Sequence, residues 1–176
     1  LAHALAVIAD GRRVTTLKDD AAVALHICAR VAELANSAIL DKGSFAMSIG
    51  SGTTVAPLKM LAKDVDFSRV HIFFGNERTE GDAAGKCFNG AAEFVSACGV
   101  PVAQVHKVPF GPAEEAAAAY EALLRGSDAL GVCERTALPA IDLVLLGSGV
   151  DGHTASLYPD SEQVLRCGDA HLVVPA

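Results

Sequence analysis

The sequence lacks several features that would place it in other classes of protein. It has no tryptophan, only 5% aromatic residues and no cluster of basic residues, and its 176 residues carry a formal net charge of −7. A basic patch is the electrostatic footprint of a protein that binds nucleic acid, so we expect no nucleic-acid partner. We find no signal peptide and no apolar run near the roughly 18 residues of a membrane span. We therefore expect no membrane partner either.

Cysteines are few and are scattered along the chain. None of the five shares C-x-x-C spacing with another. The odd number and irregular spacing favour buried thiols in a reducing compartment over disulfides or a zinc site. We therefore predict no metal site and a cytoplasmic location, with an organelle such as the plastid as the alternative.

The residues that are abundant indicate an α/β fold. The chain is 51% hydrophobic, and its mean hydropathy is +0.35. Short apolar runs alternate with segments of helical periodicity, which predicts a doubly wound, mostly parallel, Rossmann-like sheet with helices on both faces. The predicted strands are 4–9, 13–17, 45–49, 70–74, 102–108, 141–146 and 171–174. The predicted helices run from 20 to about 40, from 55 to about 62, up to about 98, and from 113 to about 125.

Polar loops follow three of these strands. The loop after 45–49 contains Gly50, Ser51, Gly52 and Thr53, and Arg78 follows strand 70–74. Loop N–H groups and hydroxyls bind phosphate, and an arginine fork grips phosphate or carboxylate. An ordinary βα turn and a surface arginine are the alternatives. Because the carboxyl ends of parallel strands share one edge, we expect the loops to converge into one pocket.

The third loop carries the strongest signal. After strand 141–146 come Gly147, Gly149 and Gly152, with Asp151 and His153 in the same turn. Glycines let the backbone adopt positive φ and approach a ligand closely. An acid and an imidazole at a strand end indicate an active-site edge, while a tight surface turn with a solvated histidine is the alternative.

Residues 145–159 resemble the signature of the 6-phosphogluconolactonases, Leu-Gly-Met-Gly-x-Asp-Gly-His-Thr-Ala-Ser-Leu-Phe-Pro. Beyond the variable position, only Ser148 and Tyr158 differ from it. The loop 49–54 is similar to the family's Ser-Gly-Gly-Ser-Thr-Pro, with changes at several positions. The family's Asp-Glu-Arg becomes Asn76-Glu77-Arg78, and Asn89 matches the second residue of its Ser-Asn pair.

The resemblance implies hydrolysis of 6-phospho-D-glucono-1,5-lactone to 6-phospho-D-gluconate, a step of the oxidative pentose phosphate pathway, without metal or cofactor. We expect His153 to be the general base and Asp151 to orient it. Backbone N–H groups of the Gly147–Gly152 turn are candidates for stabilising the oxyanion. The substrate and its phosphate would be held by Gly50, Ser51, Gly52, Thr53, Arg78, Asn89, Gly149 and Gly152.

Three alternatives remain at this point. Glucosamine-6-phosphate deaminases or isomerases share the fold and an Asp-Gly-His turn, but they continue with Ile-Ala-Phe-Asn-Glu where this chain has 154–159. A non-catalytic sugar-phosphate-binding domain is the second, motivated by Asn76 and the altered loop 49–54. A module fused to, or associated with, glucose-6-phosphate dehydrogenase is the third. We expect a single domain over 1–176 that lacks the family's C-terminal basic stretch.

Overall fold

The computed structural model describes residues 4–7, 12–165 and 171–176. Its elements in chain order are strands β1 (Ala4–Val7) and β2 (Arg13–Thr16), helix α1 (Asp20–Lys42), strands β3 (Phe45–Ile49) and β4 (Val70–Phe74), helix α2 (Lys86–Ala97), strand β5 (Val105–His106), helix α3 (Ala113–Arg125), strands β6 (Gly131–Val132), β7 (Pro139–Ala140) and β8 (Leu143–Val144), and helix α4 (Glu162–Leu165). Short 3₁₀ helices connect several of them.

A four-stranded parallel sheet in the order β5-β4-β3-β8 forms the centre of the fold. The chain moves outward from β3 through β4 to β5 and then returns to place β8 on the other side of β3. This reversal of direction is the topological switch point of an open α/β sheet, where ligands bind beyond the strand ends. The loops after β3 and β8 flank that point.

The core divides into two clusters because successive strand residues face opposite sides of the sheet. The larger cluster joins β3 and β4 to α1 and α2, and its largest members include Phe45, Met47, Ile49, Ile72 and Phe94. The smaller cluster joins Ala46 and Phe73 to Leu123 and Leu124 of α3. Helices therefore cover both faces, and the predicted α/β class is confirmed.

Helix α1 has well-defined ends. The Asp19 carboxylate accepts a hydrogen bond of 2.8 Å from the Ala22 N–H, and Gly43 ends the helix at φ +86°. No membrane span is expected from the sequence. Helix α1 is nevertheless long and apolar enough to cross a membrane by length and composition alone. It buries Cys28, Val31 and Ala35 against the core, as a sheet-covering helix does.

Several predicted elements are wrong in type or length. The helix expected up to about 62 is a 3₁₀ helix over Ala56–Lys63, with a proline in its first turn. The strand expected at 102–108 pairs only over Val105–His106, after a 3₁₀ turn at Val102–Gln104. A small antiparallel pair, β6 with β7, occupies the connection before β8.

The end of the sheet also differs from expectation. The apolar run 141–146 pairs with β3 only at Leu143 and Val144, as an edge strand, and Val144 and Leu146 are each 49% exposed. Residues 171–176 are irregular instead of forming a strand at 171–174. Strands β1 and β2 pair antiparallel within the predicted strands 4–9 and 13–17, while residues 8–9 lie outside the described residues.

Candidate active site

The predicted convergence of the three loops is confirmed by their contacts. A Cβ added to Gly50 would lie 3.4 Å from Asn76 Oδ1, and one added to Gly147 would lie 3.8 Å from the Thr54 side chain. The Ser156 hydroxyl contacts both Asn76 and Arg78. Loops that are up to about a hundred residues apart in sequence thus meet at the switch point.

The loop after β3 packs against the first turns of α2. A Cβ on Gly90 would lie 3.1 Å from Ser51 Cβ, so the loop and the helix approach each other closely there. Gly52 has φ +84° and opens a 3₁₀ turn with Thr53, and both residues are exposed. The loop therefore leads into 3₁₀ turns rather than into the expected α-helix.

Glu77 has a structural role that the sequence analysis did not find. Its carboxylate accepts hydrogen bonds of 2.8 Å from both the Cys87 and Phe88 N–H groups and one of 2.9 Å from the Arg78 N–H. The first N–H groups of a helix lack partners within the helix, and a carboxylate there also interacts favourably with the helix dipole. Glu77 thereby fixes the loop that carries Arg78 to the start of α2.

The Arg78 side chain reaches the loop that follows β8. Its Nη1 lies 3.3 Å from Ser156 Oγ, and Asn76 Nδ2 lies 3.0 Å from the same oxygen. Asn76 Oδ1 in turn accepts from the Cys87 thiol at 3.6 Å. Ser156 is not among the predicted site residues, although it lies inside the signature match.

Asp151 and His153 form a close pair. The His153 Nδ1 lies 2.6 Å from Asp151 Oδ1, and the imidazole stacks on the Tyr158 ring with 4.7 Å between centroids. The hydrogen bond from His153 holds the pKa of Asp151 below its ordinary value. Because an ionised carboxylate only accepts, Nδ1 carries the hydrogen, and a neutral His153 has its free lone pair on Nε2.

The glycines of this turn are required for its shape. A Cβ on Gly149 would collide with the His153 ring and would lie 2.6 Å from Asp151 Oδ1. The Gly149 N–H donates to the His153 carbonyl at 2.8 Å, and the Gly152 N–H donates to the Gly149 carbonyl at 3.0 Å. Both N–H groups are thus occupied within the turn, and the expected role of Gly149 and Gly152 as oxyanion donors does not fit.

Asn89 lies apart from these contacts. It is exposed in the first turn of α2, where its Nδ2 would be 3.3 Å from a Cβ on Gly85. Among the described residues, no side-chain hydrogen bond joins Asn89 to the loops that carry Arg78 and His153. The same part of the chain contains no group of three histidine, cysteine or acidic side chains suited to a metal ion.

The fold and the site together define a doubly wound α/β protein with an Asp–His pair and an arginine at one sheet edge. A family model described as glucosamine-6-phosphate isomerases/6-phosphogluconolactonase matches residues 18–176. The chain therefore belongs to this family, as the signature resemblance predicted.

Individual relatives agree with the family assignment. The chain is 31% identical over 139 residues to probable 6-phosphogluconolactonase 3, chloroplastic, of Oryza sativa, covering 73% of this chain and 42% of that protein. It is 29% identical over 158 residues to 6-phosphogluconolactonase of Nostoc sp., covering 86% of this chain and 64% of the relative. The chain spans about half the length of the curated relatives it matches.

Solved structures share the fold. The 6-phosphogluconolactonase from Trypanosoma cruzi superimposes with a TM-score of 0.67 at 22% identity, covering 84% of this chain and 62% of that one. The enzyme from Shewanella baltica gives a TM-score of 0.66, also at 22% identity, covering 85% and 62%. These likenesses support the doubly wound architecture.

Proposed function

We propose that this chain hydrolyses 6-phospho-D-glucono-1,5-lactone to 6-phospho-D-gluconate, with His153 as general base. One observation carries the proposal most strongly. The Asp151–His153 pair lies in the same loop as Ser156, whose hydroxyl contacts Arg78. A base and an arginine with affinity for anions are therefore linked within one site, as a phosphorylated ester substrate requires.

The Asp–His pair supplies the proton chemistry. With Nδ1–H held by Asp151, His153 Nε2 takes a proton from water, and the resulting hydroxide attacks the lactone carbonyl carbon. The tetrahedral intermediate collapses with cleavage of the bond to the ring oxygen. The protonated imidazole then returns the proton to that oxygen, which becomes the hydroxyl of the open-chain product.

Local donors must hold the phosphate, because the net charge of −7 opposes the approach of an anion. The Arg78 guanidinium offers a fork of N–H donors that matches a phosphate. The exposed Gly52 and Thr53 of the loop after β3 lie at the same sheet edge and add backbone and hydroxyl donors. We propose that these residues orient the lactone over His153.

Location and association are further proposals. Relatives from Oryza sativa and Arabidopsis thaliana are named chloroplastic, which supports a plastid as the alternative to the cytoplasm. Fusion to, or association with, glucose-6-phosphate dehydrogenase would keep the labile lactone close to its source. The intact mass of the native gene product tests the fusion.

A substrate comparison tests the proposed activity. Freshly generated 6-phosphogluconolactone is offered to the chain, and acid release is measured against spontaneous hydrolysis. A parallel assay with glucosamine 6-phosphate measures ammonium release. Accelerated hydrolysis without ammonium supports the proposal. Ammonium release would favour a deaminase, and binding of 6-phosphogluconate without turnover would favour a non-catalytic domain.

A further inference from the structure

We propose that the Ser156 hydroxyl donates a hydrogen bond to the phosphate of the bound ligand and so helps to determine specificity beside Arg78. The inference deepens the proposed function, since it assigns a new phosphate contact within the same site. It depends on the direction of the hydrogen bonds around one oxygen atom.

Two donors converge on Ser156 Oγ. Asn76 Nδ2 lies 3.0 Å away, and Arg78 Nη1 lies 3.3 Å away. A hydroxyl can accept two hydrogen bonds and donate one, so these partners occupy both acceptor sites. Within residues 12–165 and 171–176, no acceptor takes the remaining hydrogen. Ser156 is half-buried beside Arg78, so this hydrogen is available to a ligand that Arg78 binds.

The two ends of the Asn76 amide have different partners, Ser156 at the nitrogen and Cys87 at the oxygen. The Cys87 thiol lies 3.6 Å from Asn76 Oδ1, and because an amide oxygen only accepts, the thiol donates to it. Cys87 is 4% exposed, and burial raises the pKa of its thiol, so the thiol keeps its hydrogen. The amide oxygen therefore faces Cys87, and the amide N–H faces Ser156.

Asparagine at position 76 sets the direction of the bond to Ser156. The lactonase pattern has aspartate here, and a carboxylate only accepts hydrogen bonds. An aspartate would take the serine hydrogen, whereas Asn76 gives one and leaves the serine hydrogen for the ligand. The Ser156 donor and the remaining N–H groups of Arg78 then act together on one phosphate.

Binding measurements without turnover test the inference. The dissociation constants of 6-phosphogluconate and inorganic phosphate are measured for the parent chain, Ser156→Ala, Ser156→Thr and Asn76→Asp. Ser161→Ala is the matched control, because the Ser161 hydroxyl is buried in the same segment without a partner among the described residues. We expect Ser156→Ala and Asn76→Asp to raise the dissociation constants of both ligands about tenfold. Ser156→Thr and Ser161→Ala should bind both ligands like the parent.

The outcomes separate this inference from the proposed activity. A chain that binds both ligands in a Ser156-dependent way but does not hydrolyse the lactone would overturn the activity and support the phosphate contact. If Ser156→Ala binds both ligands as tightly as the parent, or if it loses affinity for 6-phosphogluconate but not for inorganic phosphate, the inference is wrong. A parent chain that binds neither ligand would overturn it as well.

Discussion

His153 is held on three sides by its own loop. Asp151 binds Nδ1, the Tyr158 ring stacks on the imidazole, and the bare Cα of Gly149 lies beneath it. Each contact restricts the ring orientation and leaves Nε2 as the free nitrogen. The proposed role of His153 as general base needs this restriction, because proton transfer depends on alignment with the attacking water.

Gly149→Ala is therefore expected to disable the site without unfolding the protein. The added methyl group would collide with the imidazole and with Asp151 Oδ1. We expect the rate of lactone hydrolysis to fall by about a hundredfold or more, with little change in the unfolding midpoint. Enzyme assays and thermal unfolding measure the two quantities.

Gly147→Ala is the matched control for this variant. A Cβ at Gly147 has its nearest neighbour, the Thr54 methyl carbon, at 3.8 Å, an ordinary contact distance. We expect this variant to keep most of its activity. Equal losses at the two positions would contradict the specific role of Gly149.

Residue-level prediction from the sequence is strongest where a residue type has one chemical use. Asp151, His153 and Arg78 are predicted site residues because an acid, an imidazole and a guanidinium at strand ends are informative in themselves. Ser156 and Glu77 were missed because their roles depend on side-chain directions after three loops meet. The pairing of the Gly149 and Gly152 N–H groups was not predicted, because a sequence does not show which N–H groups a turn already uses.

At the scale of elements, one carboxylate links the arginine loop to α2. Glu77 accepts from the first N–H groups of the helix and from its neighbour Arg78. The N-cap of α2 is Gly85, which has no side chain to accept these bonds. The loop residue therefore supplies the cap that the helix sequence lacks.

Glu77→Ala should lower the free energy of unfolding by about 1–2 kcal/mol, the usual cost of losing an N-terminal cap. Urea denaturation measures this change. Glu80→Ala is the control, because Glu80 is exposed and has no hydrogen bond among the described residues. A Glu77→Ala variant as stable as Glu80→Ala would show that the cap contributes nothing.

The bounds of a strand could be predicted where the strand is buried on both faces of the sheet. The apolar runs at 45–49 and 70–74 are strands over the expected residues, since nearly every residue is buried. The runs at 102–108 and 141–146 were predicted too long because apolar character does not reveal where hydrogen-bond partners end. Strands β5 and β8 lie at the edges of the sheet and pair with a neighbour over only two residues each.

At the scale of the whole molecule, two carboxylates join distant segments. Asp142 binds the Lys42 ammonium at 2.7 Å and the Ala46 N–H at 2.8 Å, so the starts of β3 and β8 are fixed together. Glu121 of α3 accepts from the N–H groups of Leu172 and Val173 and anchors residues 171–176.

The Glu121 anchor should release in acid. The hydrogen bond from Arg125 and those from Leu172 and Val173 lower the pKa of Glu121 from its ordinary value of 4.5. A lowered pKa means that this stabilisation is complete above the ordinary value and is lost as pH falls through the folded value. We expect the exchange protection of the Leu172 and Val173 amides to drop between about pH 6 and about pH 3.

Two comparisons control this measurement. The Ile72 amide in β4 reports whether the core itself opens, and Glu121→Gln should show weak protection at Leu172 and Val173 at both pH values. Protection at these amides that is unchanged in acid while Ile72 stays protected would contradict the anchor.

The central claim is tested most directly by the initial rate of 6-phosphogluconolactone hydrolysis for the parent chain, His153→Gln and His26→Gln, each corrected for spontaneous hydrolysis. His26 is exposed on α1 and controls for loss of a histidine. The account predicts acceleration by the parent and His26→Gln, and a loss of about 10²–10⁴-fold in His153→Gln. A parent chain no faster than the background, or a His153→Gln variant as fast as the parent, would contradict it.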